Sequence, residues 1–193
     1  MRNSLRPLLA VTLAALGLGL AATAVSTSGD PGFAPVRLGP WTSWPQLGGA
    51  EIDPYERASV AMDGVAPIGL NEGLSFLARA DDLGAPLDSR CDYQIAGSDL
   101  PARLWTLAAY SEGGRPLDNP AGRSGLTSAG LLRAEGGDFV IDAAREARPG
   151  NWLPLGSARS FVLALRLYQA STSALSSAYD GLSLPKITRG SCS

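Results

Sequence analysis

Six residues in this 193-residue sequence have the types to hold a ligand: Trp105, Arg123, Asn151, Trp152, Arg166 and Tyr168. Two guanidinium groups carry a permanent charge and a fork geometry that fits a carboxylate, a phosphate or a sugar acid. Two tryptophans could wall such a site, because their ring faces attract cations and stack on flat ligands. Asn151 and Tyr168 would add uncharged hydrogen-bonding groups. A plainer reading gives both arginines structural roles, with Arg166 paired to an acidic residue and Arg123 bonded to loop carbonyls.

No catalytic residue stands out. The chain has no histidine, so a triad base, a proton shuttle and an imidazole ligand are all excluded. Its two cysteines, Cys91 and Cys192, are too few for a cysteine-based zinc site. A carboxylate calcium or magnesium site stays open, but Asp81-Asp82 is the only local acidic cluster and a plain turn explains it better, so no metal and no cofactor are predicted. Lys186 is the only lysine and sits near the end, a poor place for a Ser–Lys dyad. Glu56, Glu72, Asp92 and Asp142 offer no pair singled out by spacing for glycoside hydrolysis. No Gly-Lys-Ser/Thr follows the glycine-rich pieces, which excludes a phosphate loop. Net charge is −2 with no basic stripe, so nucleic acid is not an expected partner.

The elements that must position the six residues lie mostly between Arg148 and Tyr168. Phe161, Leu163, Leu165 and Leu167 alternate on one face of a strand, with Val162, Ala164, Arg166 and Tyr168 on the other. Both faces are apolar up to Arg166, which predicts a strand deep in a sheet. Upstream, Pro149 and Pro154 bracket Gly150-Asn151-Trp152-Leu153. Each proline fixes its own φ and disfavours helix before it, so a preset loop is expected. Trp152 in that loop either plugs the end of the core, the plainer reading, or lines a pocket.

The rest of the chain frames this region. Arg2 and Arg6 precede an apolar run from Leu8 to Val25, interrupted only by Thr12 and Thr23. This reads as a signal peptide, with Ala22-Thr23-Ala24 at the cleavage site, or as an uncleaved signal anchor over residues 1–25. Either way the remainder is exported. Residues 26–40 read as a linker. Trp41 and Trp44 follow, in a strap expected to pack on the domain. Asp53-Pro54-Tyr55-Glu56 carries helix-start signals, with Gly64 as the stop. A strand over Leu74–Ala78 and another from Arg90 through Tyr93 and Ile95 suggest a long-looped hairpin. Further strands are predicted over Arg103–Tyr110, Phe139–Ile141 and Lys186–Arg189. Ser128–Arg133 suggests a single helical turn, and Ser171–Tyr179 a short helix. Strands recurring between turn signals predict a mainly β fold over residues 41–193. The architecture is an antiparallel β-sandwich or jelly roll with a few short helices, behind an N-terminal hydrophobic helix. Two cysteines in an exported chain suggest a Cys91–Cys192 disulfide.

Asn151-Trp152-Leu153-Pro154 followed by Leu165-Arg166-Leu167-Tyr168 resembles the C-terminal signature of the bacterial family called domain of unknown function 1214. Arg103-Leu104-Trp105-Thr106-Leu107 with Tyr110 is similar to that family's aromatic-rich strand, and Asn119-Pro120-Ala121-Gly122-Arg123 to its turn. The likeness covers about residues 70 to 193. Ser124 departs from the aromatic expected after the turn arginine. The resemblance implies a fold and a membrane-tethered address, and no established activity. It also implies a plausible partner from the family called domain of unknown function 1254.

Together these readings predict an exported, membrane-tethered envelope protein that binds a partner protein or an envelope glycan without catalysis. It would be anchored in the inner membrane facing the periplasm, or periplasmic if the signal is cleaved. The alternative is a carboxylate-dependent enzyme acting on envelope saccharide or lipid.

Overall fold

The structure, a computed structural model, describes residues 5–27, 35–49, 52–54, 57–58, 68–69, 72–170 and 182–192. Helix α1 (Leu5–Thr27) is built from leucine and alanine, with its only proline, Pro7, in the first turn, where no backbone bond is lost. Its segment Pro7–Ser26 is 20 residues long, has a mean hydropathy of 2.2 and makes no buried contact. At about 1.5 Å per residue this is about 30 Å, the thickness of a bilayer's hydrocarbon core. The hydroxyls of Thr12, Thr23 and Ser26 donate to carbonyls four residues back, each at 2.9 Å. Those groups are therefore satisfied without water. The helix is long and apolar enough to cross a membrane.

Besides short 3-10 turns at Pro45–Gly48 and Ser128–Gly130, the remaining described elements are strands: β1 (Val36–Leu38), β2 (Trp41–Ser43), β3 (Gly73–Ala78), β4 (Cys91–Gly97) and β5 (Ala102–Tyr110), then β6 (Gly125–Thr127), β7 (Phe139–Ala144), β8 (Asn151–Pro154), β9 (Val162–Ala170) and β10 (Lys186–Cys192). They form a six-stranded sheet in the order β1-β2-β3-β9-β5-β6 and a four-stranded sheet in the order β10-β4-β7-β8. The sheets share one core. Phe76, Leu107, Leu163, Leu165 and Leu167 face it from the larger sheet, and Tyr93, Ile95, Ile141, Leu153 and Ile187 from the smaller. Trp105 meets Phe139 across the gap with ring centroids 4.8 Å apart, and Tyr93 meets Phe161 edge-on at 5.6 Å. The fold is mainly β, as predicted, and β9 is the buried inner strand that its two apolar faces indicated.

Three local expectations change. The strands β3 and β4 do not form a hairpin, because β3 pairs with β2 and β9 while β4 pairs with β7 and β10. The connection between them crosses from one sheet to the other, and its core residue Leu87 is buried. The segment between Pro149 and Pro154 is an edge strand, β8, and it runs parallel to β7. The helical turn expected over Ser128–Arg133 is a 3-10 turn confined to Ser128–Gly130. Most of the Asp53–Gly64 helix and all of the Ser171–Tyr179 helix lie outside the described residues.

Gly73 is required where β3 meets β9. A Cβ there would stand 1.9 Å from the Leu167 carbonyl oxygen, closer than any side chain tolerates. The N-terminal strap is fixed by Trp41, whose indole N–H donates to the Pro185 carbonyl at 2.7 Å. Cys91 and Cys192 stand opposite each other on β4 and β10 and are joined as a disulfide.

Candidate functional site

The edge strand β8 gathers three of the six sequence-selected residues. Asn151 is spent on structure: its amide oxygen accepts the Leu132 N–H at 2.8 Å, and its amide nitrogen donates to the carbonyls of Leu132 and Val140. These bonds clamp the segment before β7 against β8. Trp152 is half-buried on the outer face of the four-stranded sheet and donates its indole N–H to the Ala144 carbonyl at 3.0 Å. It does not plug the core. The in-facing position of this short strand belongs to Leu153, which is fully buried. Arg123 reaches β8 from the loop before β6. Its guanidinium donates to the Trp152 carbonyl at 2.7 Å and lies 5.7 Å from the centre of the indole. The arginine thus caps an edge-strand carbonyl, which agrees with its plainer reading and blunts the open edge.

The other three residues are elsewhere. Trp105 is 2% exposed, in the core between the sheets, where the Arg133 guanidinium lies 5.9 Å from its ring. Arg166 is on the outer face of the six-stranded sheet. It donates to the Tyr110 hydroxyl at 2.9 Å, so its partner is a phenol rather than the acidic residue of the plainer reading. Tyr168 stands one pleat further along β9, opposite Gly73 and Leu104. The structure therefore brings Arg123, Asn151 and Trp152 together and leaves Trp105, Arg166 and Tyr168 apart from them.

Strand register places further polar residues beside Trp152. Thr188 pairs with Gln94, Gln94 with Asp142, and Asp142 with Trp152. The neighbouring residues Ile187, Ile95 and Ile141 point into the core, so this row of four faces outward. At about 4.8 Å between strands the row is about 14 Å long. It borders a cleft of about 320 Å³ lined by Asp138, Asp142, Val140, Pro149 and Asn151. A hydroxyl, an amide, a carboxylate and an indole in line form a surface with hydrogen-bonding groups at one end and a flat apolar ring at the other. Sequence reading missed Gln94 and Thr188 because each is merely the polar member of an alternating strand. Only the register shows that they align with Asp142.

Displaced titrations occur at the β3–β4 connection. Hydrogen bonds from Arg90 hold the Asp88 carboxyl far below the usual carboxylate range. Burial raises the Tyr93 phenol, whose oxygen accepts the Asp88 N–H at 2.8 Å.

A second cleft, of about 360 Å³, opens on the outer face of the six-stranded sheet between β1, β2 and β3, with Arg37, Trp44 and Arg79 on its walls.

The family model described as "Protein of unknown function (DUF1214)" matches residues 72–172, from the start of β3 to the end of β9. No curated protein matches the sequence. The fold is similar to the crystal structure of the VPA0106 protein from Vibrio parahaemolyticus, with a TM-score of 0.59 and 18% identity over 73% of this chain. This chain spans 36% of that protein's length. A crystal structure of an uncharacterised protein from Burkholderia cenocepacia matches at a TM-score of 0.43 and 19% identity, over 66% of this chain and 32% of the other.

Proposed function

Because the chain belongs to the DUF1214 family of proteins of unknown function, we propose its role from its own surfaces: an exported, membrane-tethered module that binds an envelope glycan without catalysis. The observation that carries this reading is the outward row of Thr188, Gln94, Asp142 and Trp152 beside its cleft. Sugars offer hydroxyls to amides and carboxylates and C–H faces to indoles, and the row supplies both. The site binds from a rigid sheet, which keeps the ordering cost of recognition low. On a glycan array the full chain is expected to retain a restricted set of envelope saccharides. Gln94→Ala and Trp152→Ala should each weaken retention about tenfold, the equivalent of about 1.4 kcal/mol. Hydrolysis of a retained saccharide, abolished by Asp142→Asn, would instead assign a carboxylate-dependent enzyme.

The tether and export rest on α1, its preceding Arg2, and the disulfide, which persists in oxidising compartments. Alkaline phosphatase fused after Ser193 should be active in the producing cell. Maturation of a fluorescent protein that folds only in the cytoplasm would reverse the topology.

A partner protein is the second reading. The VPA0106 protein carries this fold within a chain about twice as long as this one (73% of this chain matches 36% of that one), so the fold exists beside further protein there. A separate chain of the domain of unknown function 1254 family could supply such a neighbour here. Co-purification of the two from the producing cell tests it.

A further inference from the structure

We propose that the cleft between β1, β2 and β3 binds the phosphate of an anionic phospholipid in the membrane that holds α1. The inference rests on the tethered reading above. Arg37 pairs with Thr42 and Thr42 with Leu77, so these three share the outer face of the sheet. Trp44 and Arg79 lie just beyond the ends of β2 and β3, on opposite sides of that row, and all five line the cleft. Its volume of about 360 Å³ suits a headgroup with its glycerol.

The charge balance favours an anion. The cleft also contains Asp81 and Asp82, but Arg189 pairs with Asp81, so guanidinium groups outnumber carboxylates there by one. Asp81 accepts the N–H groups of Leu83 and Ala85 through Oδ1, and its Oδ2 lies 2.9 Å from Arg189 Nε without hydrogen-bond alignment. Asp82 accepts the Ile187 N–H at 2.9 Å. Arg37 and Arg79 are exposed, and neither forms an ion pair among the described residues. Two uncommitted guanidinium groups at one cleft are the donor set that phosphate recognition uses.

Two further observations choose a lipid over a free phosphate. Leu77 and the Trp44 ring give the cleft an apolar wall that inorganic phosphate would leave unused. Arg37 follows the end of α1 by ten residues (37 − 27), which an extended chain spans in at most about 36 Å. Local contact through Arg37 and Arg79 would set which face of the domain meets the membrane.

The test uses the full chain in neutral maltoside micelles. It is titrated separately with dihexanoyl phosphatidylglycerol, dihexanoyl phosphatidylcholine and inorganic phosphate while its melting temperature is followed. The expected result is a saturable rise with phosphatidylglycerol alone. Arg37→Gln/Arg79→Gln should weaken that response about tenfold while melting like the parent in the absence of lipid. An equal rise with phosphatidylcholine, or an unchanged response in the variant, overturns the site. An equal rise with inorganic phosphate overturns the lipid assignment. Cleavage of α1 in the cell would be read separately by carbonate extraction of membranes, and would strike the tether alone.

Discussion

Serine at both Cys91 and Cys192 is expected to lower the unfolding free energy by about 4–5 kcal/mol. The bridge joins residues 101 positions apart, and loop-closure entropy for a ring of that size gives about 4.7 kcal/mol at 25 °C. The loss should concentrate at β10. That strand is the sheet's edge, only Ile187 on it is fully buried, and Lys186, Thr188 and Gly190 through Cys192 are exposed. What remains to hold it is its ladder with β4, two bonds between Ile187 and Asp82, and Arg189, which pairs with Asp81, donates to the Pro86 carbonyl and lies against the Tyr93 ring. Urea unfolding of the oxidised parent and the variant reads the difference directly. Dithiothreitol should bring the parent down to the variant's midpoint and leave the variant unmoved. A single midpoint shared by all of these samples would mean that the bridge contributes nothing to stability.

Trp105→Ala should cost about 3–5 kcal/mol, the range for emptying a buried aromatic site. The ring is 2% exposed and packs on Phe139 of the opposite sheet, so its removal opens the core between the layers. It also removes one of the two rings beside the Arg133 guanidinium, which keeps Phe139 and its ion pair with Asp99. Trp152→Ala should cost only about 1 kcal/mol, typical of a partly exposed position. Its losses are one indole bond to Ala144 and the stacking of Arg123. Parallel denaturation of the two variants decides the order. A larger loss at Trp152 would mean that the outer face of the four-stranded sheet is more deeply packed than its half-exposed indole indicates.

The sequence revealed β9 more clearly than any other strand. Leu163, Leu165 and Leu167 alternate with Val162 and Ala164 without a polar break, and only a strand covered on both sides tolerates that pattern. Cys91 and Cys192 were legible for a different reason, since two thiols have one intramolecular pairing available. Trp152 lies in an edge strand, whereas the spacing of Pro149 and Pro154 predicts a loop. Pro154 is tolerated in an edge strand, where a missing N–H breaks no central ladder, so the same residues also fit β8. The crossing of β3 and β4 into different sheets was not legible, because a strand's own residues do not state which strand it will pair with. The candidate site suffered most from that blindness. Thr188, Gln94 and Asp142 are distant in sequence, and only the ladder register brings them into line with Trp152. Arg123 gave a partial signal, as its position in a turn suggested carbonyl bonding but not which carbonyl.

The central place of β9 also fixes when the molecule can fold. Strands β3 and β5 pair with β9 on either side, yet β9 spans residues 162–170 of 193. During synthesis the ribosome therefore releases β3 and β5 long before the strand that joins them exists. The four-stranded sheet waits still longer for its far edge, because β10 ends at residue 192. A topology dominated by such distant pairings folds slowly, on a scale of about milliseconds to seconds. Until β9 and β10 have been made, the nascent polypeptide has no complete core to close. Its two sheets stay open, with their apolar faces unpaired, until those strands have followed.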